Sequence, residues 1–228
     1  MKLFLALFAL IVAALGLSVF LPSAGNSSPE NVNQRLPWQI ELAADGSTRV
    51  FDLVPGKSTL ADVRQVLGND PEVALIAAPD EVGTLEAYYS QLKLGFVQAK
   101  MIVTLDAAPD AVAAMRERAV KAEYMESATR KITLHPDDVK RLETLPVRAL
   151  SVIPSVNLDE AVIVQRFGEP GEKLRVSEKR VHLLYPAKGL DVVLDQEGKE
   201  LLQYVAPAQF SRLREPLLQN SSKDASDK

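Results

Sequence analysis

The sequence predicts an α+β fold: two tandem small modules, each a helix followed by an antiparallel meander, after an N-terminal transmembrane or signal helix. Three observations lead to this prediction. Residues 3–21 carry no charge, two similar segments recur about 99 residues apart, and apolar residues alternate with polar ones after each predicted helix. A chain of 228 residues, 47% of them hydrophobic and 25% charged, has room for one ordinary domain or two small ones.

The first predicted element is the apolar segment 3–21. As a helix it would reach roughly 28 Å, close to the hydrocarbon thickness of a bilayer. Lys2 precedes it and no Lys or Arg occurs in residues 26–33, so the positive-inside rule places the body outside the cytoplasm. Residues 1–24 are therefore predicted to anchor the protein in the bacterial inner membrane as a single pass, with the body in the periplasm. A cleaved signal, which would leave a secreted or periplasmic protein, and a buried core helix remain open as alternatives.

The segment 25–36, rich in Ser, Asn and Pro, is predicted to be a flexible tether. The body that follows contains one pattern twice, because Arg49–Glu72 and Arg148–Glu172 each show an apolar run, a proline, a polar cap, a short helix and a glycine. Downstream segments match as well, 84–90 with 180–185, 94–97 with 190–194, and 100–105 with 199–204. Residues 37–108 and 147–219 are therefore predicted to be two modules that superpose strand for strand.

Each predicted helix carries its own start and stop signals. Thr59 and Asp62 have the spacing of a capping box, and Asn157 is the expected cap of the second helix. Gly68 and Gly168 follow the two helices and are expected at the C′ position with a positive φ, where a Cβ would be unfavourable.

Residues 109–146 are predicted to be linker helices with a short strand at 132–134. Pro109 and Pro136 stand where the first residue of a helix is expected. A further helix is expected from Pro207 to about Gln219. The tail 220–228, polar except for Ala225, is expected to be disordered.

The composition excludes several classes of partner and of functional site. The formal net charge of −4 argues against a nucleic-acid partner, and the absence of cysteine excludes disulfides, cysteine nucleophiles and cysteine-ligated metal. Only two histidines exist, His135 and His182, and no zinc-protease, phosphate-loop or nucleophile-elbow motif is present. No catalytic residue, metal site or cofactor is therefore predicted, and the protein is not expected to be an enzyme.

The alternation of side chains along the predicted strands separates two faces of the sheet, and one of these faces is predicted to be a partner surface. One alternating set is expected to be buried against the helices: Leu85, Tyr89, Val103, Leu105, Val181, Leu183, Leu202 and Tyr204. The opposite set mixes apolar and polar side chains and is the candidate partner surface: Tyr88, Ile102, Thr104, His182, Leu184, Leu201 and Gln203. Two alternatives are open, namely that the linker helix covers this face or that two sheets pack together. Trp38, the single tryptophan, is interpreted as a packing anchor between strands, with stacking on a ligand as the alternative.

These patterns also resemble a known family. The cap Pro55-Gly56-Lys57-Ser58-Thr59, the helix end Leu67-Gly68 with Pro71, and Phe167-Gly168-Glu169-Pro170 in the second copy are similar to the SmpA/OmlA (BamE-like) family, over roughly 49–106 and 147–206. The resemblance implies an envelope protein that binds other proteins, as in outer-membrane assembly. The tandem arrangement is similar to β-lactamase-inhibitor proteins, which implies an alternative, an inhibitor-like protein that binds an extracytoplasmic enzyme. The expected function is that of a membrane-anchored, non-catalytic protein-binding module.

Overall fold

The computed structural model describes residues 35–226, except 69, 80 and 126–128. The predicted membrane segment and most of the predicted tether lie outside this part of the chain. No helix within the described residues is both long enough and apolar enough to cross a membrane.

One large antiparallel sheet dominates the structure. Ten strands follow the order β6-β7-β3-β4-β5-β8-β12-β11-β10-β9, and a separate hairpin pairs β1 with β2. The strand bounds are β1 (Ile40–Leu42), β2 (Thr48–Val50), β3 (Glu72–Ala77), β4 (Thr84–Leu94), β5 (Val97–Leu105), β6 (Lys121–Tyr124), β7 (Arg130–Thr133), β8 (Val147–Pro154), β9 (Glu172–Arg175), β10 (Arg180–Tyr185), β11 (Leu190–Asp195) and β12 (Leu201–Val205).

The prediction of an α+β fold with two tandem helix-plus-meander modules is wrong, because β8 joins the two halves into one sheet. This strand pairs with β5 on one side and with β12 on the other. All its residues except Arg148 are buried. A strand that is apolar on both faces needs a neighbour along each edge and cover on each side, so it lies in the middle of a sheet.

The helices are short apart from the last one. Their bounds are α1 (Leu60–Leu67), α2 (Pro109–Glu117), α3 (Pro136–Leu142), α4 (Glu160–Phe167) and α5 (Ser211–Ser226), with 3-10 turns at Pro186–Lys188 and Pro207–Gln209. Pro109 and Pro136 begin α2 and α3 as predicted. The linker also contributes β6 and β7 to the sheet, where Ile132 is buried opposite Leu75 of β3. The last helix continues past Gln219 into the segment that was expected to be disordered.

The cap of α1 is confirmed and the cap of α4 is corrected. Thr59 and Asp62 form the capping box, in which the Asp62 carboxylate accepts from the Thr59 amide at 2.8 Å. At α4 the cap is Asp159, whose carboxylate accepts from the Val162 amide at 2.8 Å. Asn157 instead accepts a hydrogen bond from Lys199 Nζ at 2.7 Å. The helix starts later than predicted because the intervening Leu158 is buried in the core.

Gly68 and Gly168 end α1 and α4 with the positive φ that the sequence predicts, 104° and 82°. Their ψ values of 162° and −176° place them in an extended conformation that is essentially reserved for glycine. Each glycine amide still donates to its helix, Gly68 to the Arg64 carbonyl at 2.9 Å and Gly168 to the Val164 carbonyl at 2.8 Å. The glycines therefore close the helices and direct the chain into the sheet.

The two halves do not match strand for strand, so this part of the repeat prediction is wrong. Three strands follow α1, whereas four follow α4. β4 runs for 11 residues, with a register shift between Tyr89 and Leu92, and the chain turns back only at Gly95. In the second half Pro186 ends β10, and Gly189, with φ 64°, precedes the return strand. The turn formed by this proline and glycine joins β10 and β11 as an antiparallel hairpin, and the second half contains one strand more than the first.

The sheet buries both of its faces. The helix face packs against α1 to α4, and seven of the eight predicted core residues are fully buried there, whereas Val181 is half-buried against the same cluster. The opposite face is covered at one end by the start of α5, where Phe210 and Leu213 pack on Leu184 and Val205.

Candidate functional site

The seven residues of the predicted partner surface lie on the opposite face, but they are not exposed. Tyr88 is half-buried, and six side chains are at most 5% exposed: Ile102, Thr104, His182, Leu184, Leu201 and Gln203. Strand register aligns Tyr88, Ile102, Ser151, Gln203 and Asp191 in one row across the sheet. These residues form a mixed apolar and polar interior and offer no free docking surface in this structure.

A histidine–aspartate pair lies in this interior. His182 of β10 and Asp191 of β11 are each 1% exposed, and Nδ1 of the histidine contacts both carboxylate oxygens, at 2.8 and 3.1 Å. Buried carboxylates require such partners, because an isolated charge in the interior is strongly unfavourable. The pair therefore has a structural reason to exist without any catalytic role.

A second buried carboxyl group on this face of the sheet is Glu86 of β4, which is 6% exposed. Its Oε1 has no hydrogen-bond partner in the described part of the chain. Burial raises the pKa of Glu86 to about 8, and the partly buried guanidinium of Arg148 opposes this shift only weakly. Glu86 is consequently mostly protonated at neutral pH.

Glu86 and the His182–Asp191 pair lie far apart in the sheet. Glu86 and His182 lie on β4 and β10, with β5, β8, β12 and β11 between them. Within the described ranges, no group of three or more His, Asp or Glu side chains could hold a metal ion. His135, the second histidine, accepts a hydrogen bond from the Asp137 amide at the start of α3.

An exposed aromatic cluster lies at another part of the molecule. The rings of Trp38 and Phe96 are 5.8 Å apart between centroids, and the guanidinium of Arg166 lies 4.7 Å above the Trp38 ring. Phe96 is 65% exposed at the tip of the β4–β5 hairpin. Val156 is 50% exposed in the segment after β8, which is held near this hairpin by the hydrogen bond from the Ser155 amide to the Gln98 carbonyl. Trp38, Phe96, Val156 and Arg166 are called the Trp38 surface below.

The core holds Trp38 in place. The hydroxyl of buried Tyr204 donates to the Pro37 carbonyl at 2.8 Å, which fixes the chain directly before Trp38. One side of Trp38 packs against the main core, as the anchor interpretation predicts, and the ring also contacts Phe96 and Arg166. A large aromatic ring that is held rigidly and remains partly exposed is typical of binding surfaces.

A groove of about 560 Å³ begins at Trp38 and is lined by Trp38, Gln39, Ile40, Glu41, Arg49, Val50, Phe51 and Asp52. Part of its wall is an unusual two-residue turn. Val50 and Leu53 exchange two backbone hydrogen bonds of 2.9 Å, and the residues between them, Phe51 and Asp52, have φ values of 55° and 64°. Turns of this kind normally contain Asn-Gly, because side chains disfavour positive φ.

Tertiary contacts offset the strain in this turn. The Phe51 ring is 2% exposed and meets Tyr204 edge-on at 5.5 Å, and Arg35 Nε donates to the Asp52 carboxylate at 2.8 Å. Backbone strain that the surroundings stabilise is common at ligand-binding sites. The turn thus supplies a second reason, independent of exposure, to place a site at the groove beside Trp38.

Sequence reasoning missed most of this surface. The sequence favours a packing role for Trp38 over ligand stacking, and the sequence reasoning did not single out Phe96, Val156 and Arg166. One signal was present, because Phe96 follows Gly95 at a hairpin turn, where a large apolar side chain is rarely needed for the core.

Comparisons with known proteins give no relative. No family model matches the chain, and neither a curated protein nor a solved structure matches it.

Proposed function

We propose that this protein is a non-catalytic protein-binding module and that its partner docks on the Trp38 surface. The observation that carries the proposal is the stack of Trp38, Phe96 and Arg166 beside the groove. Tryptophan and arginine are the residue types most enriched among those that dominate binding energy, and exposed aromatic rings recover a large apolar area on binding.

The chemistry of the Trp38 surface indicates what kind of partner would bind to it. Phe96 and Val156 offer apolar area, and the groove offers a recess for a side chain. Arg166 is held over Trp38 by a cation–π contact, with its guanidinium available to a carboxylate. The partner we propose is a protein segment with an apolar side chain next to an acidic one.

The proposed setting is the bacterial envelope. The support for it is the uncharged segment 3–21 with Lys2 before it, together with the resemblance to the SmpA/OmlA (BamE-like) family. Under this proposal the segment anchors the protein in the inner membrane and the Trp38 surface faces the periplasm, where an envelope protein binds it.

A second candidate is an inhibitor-like protein that binds an extracytoplasmic enzyme. One observation favours it: Phe96 is 65% exposed at the tip of a hairpin, where a large apolar side chain can enter an enzyme cleft. The two candidates differ in the class of protein that contacts Phe96, an envelope assembly protein or a hydrolase.

Site-specific cross-linking tests the proposal, since the chain has no cysteine of its own. Phe96→Cys and Val156→Cys, each labelled with a photo-reactive group in the full-length protein, should capture the same partner from native membranes. Val82→Cys, an exposed apolar position outside the Trp38 surface, is the matched control. Mass spectrometry of the adduct distinguishes the two candidates.

A second variant links capture to the chemistry of the surface. Arg166→Ala in the Phe96→Cys background should reduce capture severalfold, because the cation–π contact and the hydrogen-bond donor for an acidic side chain are both lost. Equal capture at Val82, or unchanged capture in the Arg166→Ala background, would show that the Trp38 surface is not the docking site.

A further inference from the structure

The edge strand β6 is exposed along its whole length. All four residues from Lys121 to Tyr124 are exposed, and Tyr124 and the preceding Val120 are among the most exposed large apolar side chains, at 72% and 63%. β6 pairs with β7 on one side, and no described strand lies on its other side. An open strand edge with exposed apolar residues is a template for pairing with another strand.

The backbone groups that face the open side can be identified. The Met125 amide donates to the Thr129 carbonyl at 2.8 Å, so this position is a hydrogen-bonded pair of the β6–β7 ladder. Hydrogen-bonded and non-hydrogen-bonded pairs alternate in an antiparallel ladder. The amide and carbonyl groups of Lys121 and Glu123 therefore point to β7, and those of Ala122 and Tyr124 point outward.

The side chains of this edge are complementary to themselves. An antiparallel pairing with a two-fold axis at Ala122 places Lys121 opposite Glu123 of the second copy, in both directions. Within one chain Lys121 Nζ contacts the Glu123 carboxylate at 2.6 Å, which shows that the two charges lie on the same side of the strand.

We infer that the chain forms a symmetric dimer in which β6 pairs antiparallel with β6 of a second copy. The occupant of the edge is a second copy and not a foreign strand, because a two-fold axis through Ala122 places Lys121 of each copy opposite Glu123 of the other, so that both charges are matched twice. Opposite charges directly across two strands are favourable and like charges are unfavourable. The sheet then runs without interruption through both protomers.

Disulfide trapping tests the geometry. Residues in a hydrogen-bonded antiparallel pair have Cα atoms about 5.5 Å apart, within the range that a disulfide spans. Ala122→Cys in the full-length, otherwise cysteine-free protein should therefore oxidise to a covalent dimer. Lys93→Cys, on an exposed part of β4, is the control and should form far less. Equal trapping at both positions would overturn the inference.

Charge exchange tests the register. Lys121→Glu or Glu123→Lys places like charges opposite each other twice and should weaken the dimer about tenfold, as measured by sedimentation equilibrium of the purified full-length protein. The double variant Lys121→Glu/Glu123→Lys restores opposite charges and should restore the wild-type dissociation constant. A monomeric wild type, or a double variant as weak as the single ones, would overturn the inference.

Discussion

The two halves of the sheet share one hydrogen bond, from a tyrosine to the glycine that ends a helix, and they differ in their buried polar groups. In the first half, the Tyr89 hydroxyl donates to the Gly68 carbonyl at 2.9 Å, and in the second the Tyr185 hydroxyl donates to the Gly168 carbonyl at 3.0 Å. Each tyrosine thus ties a strand to the glycine that ends its helix. Burial raises the pKa of both tyrosines to about 12, so they remain donors.

The difference lies on the opposite face. The second half buries Asp191 with His182 as its partner, whereas the first half buries Glu86 with no hydrogen bond to Oε1. Glu86 can lose its charge by binding a proton, which avoids the cost of an unpaired buried carboxylate. The two halves therefore share the same helix ends but accommodate their buried carboxyl groups differently. Asp191 is paired with a histidine, whereas Glu86 binds a proton.

The largest expected effect comes from breaking the pair in the second half. His182→Ala leaves Asp191 without its hydrogen-bond partner in the interior, and should lower the free energy of unfolding by about 3–5 kcal/mol. Urea unfolding at neutral pH measures the change. His135→Ala, which replaces the half-buried histidine directly before α3, removes only a long capping hydrogen bond and should cost about 1 kcal/mol. Equal losses in the two variants would show that the buried pair stabilises the fold no more than His135 does.

Glu86, the buried carboxyl group of the first half, should make the stability of the protein depend on pH. Because folding raises the pKa of Glu86 from 4.5 to about 8, the folded state binds more protons than the unfolded state between these values, and stability falls as the pH rises through this window. One pKa unit corresponds to about 1.4 kcal/mol, so Glu86→Gln should gain about 2 kcal/mol at pH 6 relative to wild type, and more at pH 8.

Unfolding curves of wild type and Glu86→Gln at pH 5, 6, 7 and 8 test this prediction. The wild type should lose stability across the series, and the variant should show a flatter profile. Parallel pH profiles would mean that Glu86 is ionised in the folded protein at neutral pH.

The shared glycines should respond alike. Gly68→Ala and Gly168→Ala should each cost about 1–3 kcal/mol, because the backbone conformation itself excludes a side chain. A Cβ added at Gly68 has no neighbour within 4 Å, and one at Gly168 reaches only Lys188 Nζ at 4.0 Å, so steric contact adds little. Gly198→Ala, at a glycine without positive φ, should be nearly neutral in the same thermal or urea unfolding experiment.

The smallest expected effect concerns the tyrosine–glycine hydrogen bond that both halves contain. Tyr89→Phe and Tyr185→Phe each remove one hydrogen bond to a glycine carbonyl and keep the ring, and should each cost about 1 kcal/mol. Denaturant midpoints of the two variants compare the halves directly. A loss confined to one variant would show that the two contacts are not equivalent.

Much of the local structure follows from short sequence patterns. The capping box at Thr59, the proline starts of α2 and α3, and the glycines after α1 and α4 depend on residues within one or two helical turns of each other. Strand phase also held, since the residues predicted to face the helices are in the main core. Such features repeat with a fixed period, so the sequence contains them directly.

The number of strands was predicted less well. The matched segments indicated equal modules, but the second half has a turn at Pro186–Gly189 and one strand more than the first. The opposite face was interpreted as a candidate partner surface, with cover by other elements as the alternative, and most of its residues are buried. Burial of a strand face depends on what packs over it, which alternation alone does not specify.

Composition and periodicity alone determined the uncharged N-terminal segment, the helix starts and stops, the phase of each strand and the lack of cysteine chemistry. The joining of both halves through β8, the pairing of His182 with Asp191, the burial of Glu86 and the meeting of Trp38, Phe96 and Arg166 were decided by the tertiary structure. These contacts link residues that are distant in the chain, and they arise from which strands become neighbours. No local pattern encodes that choice, because the free energy that selects it comes from packing the whole sheet at once.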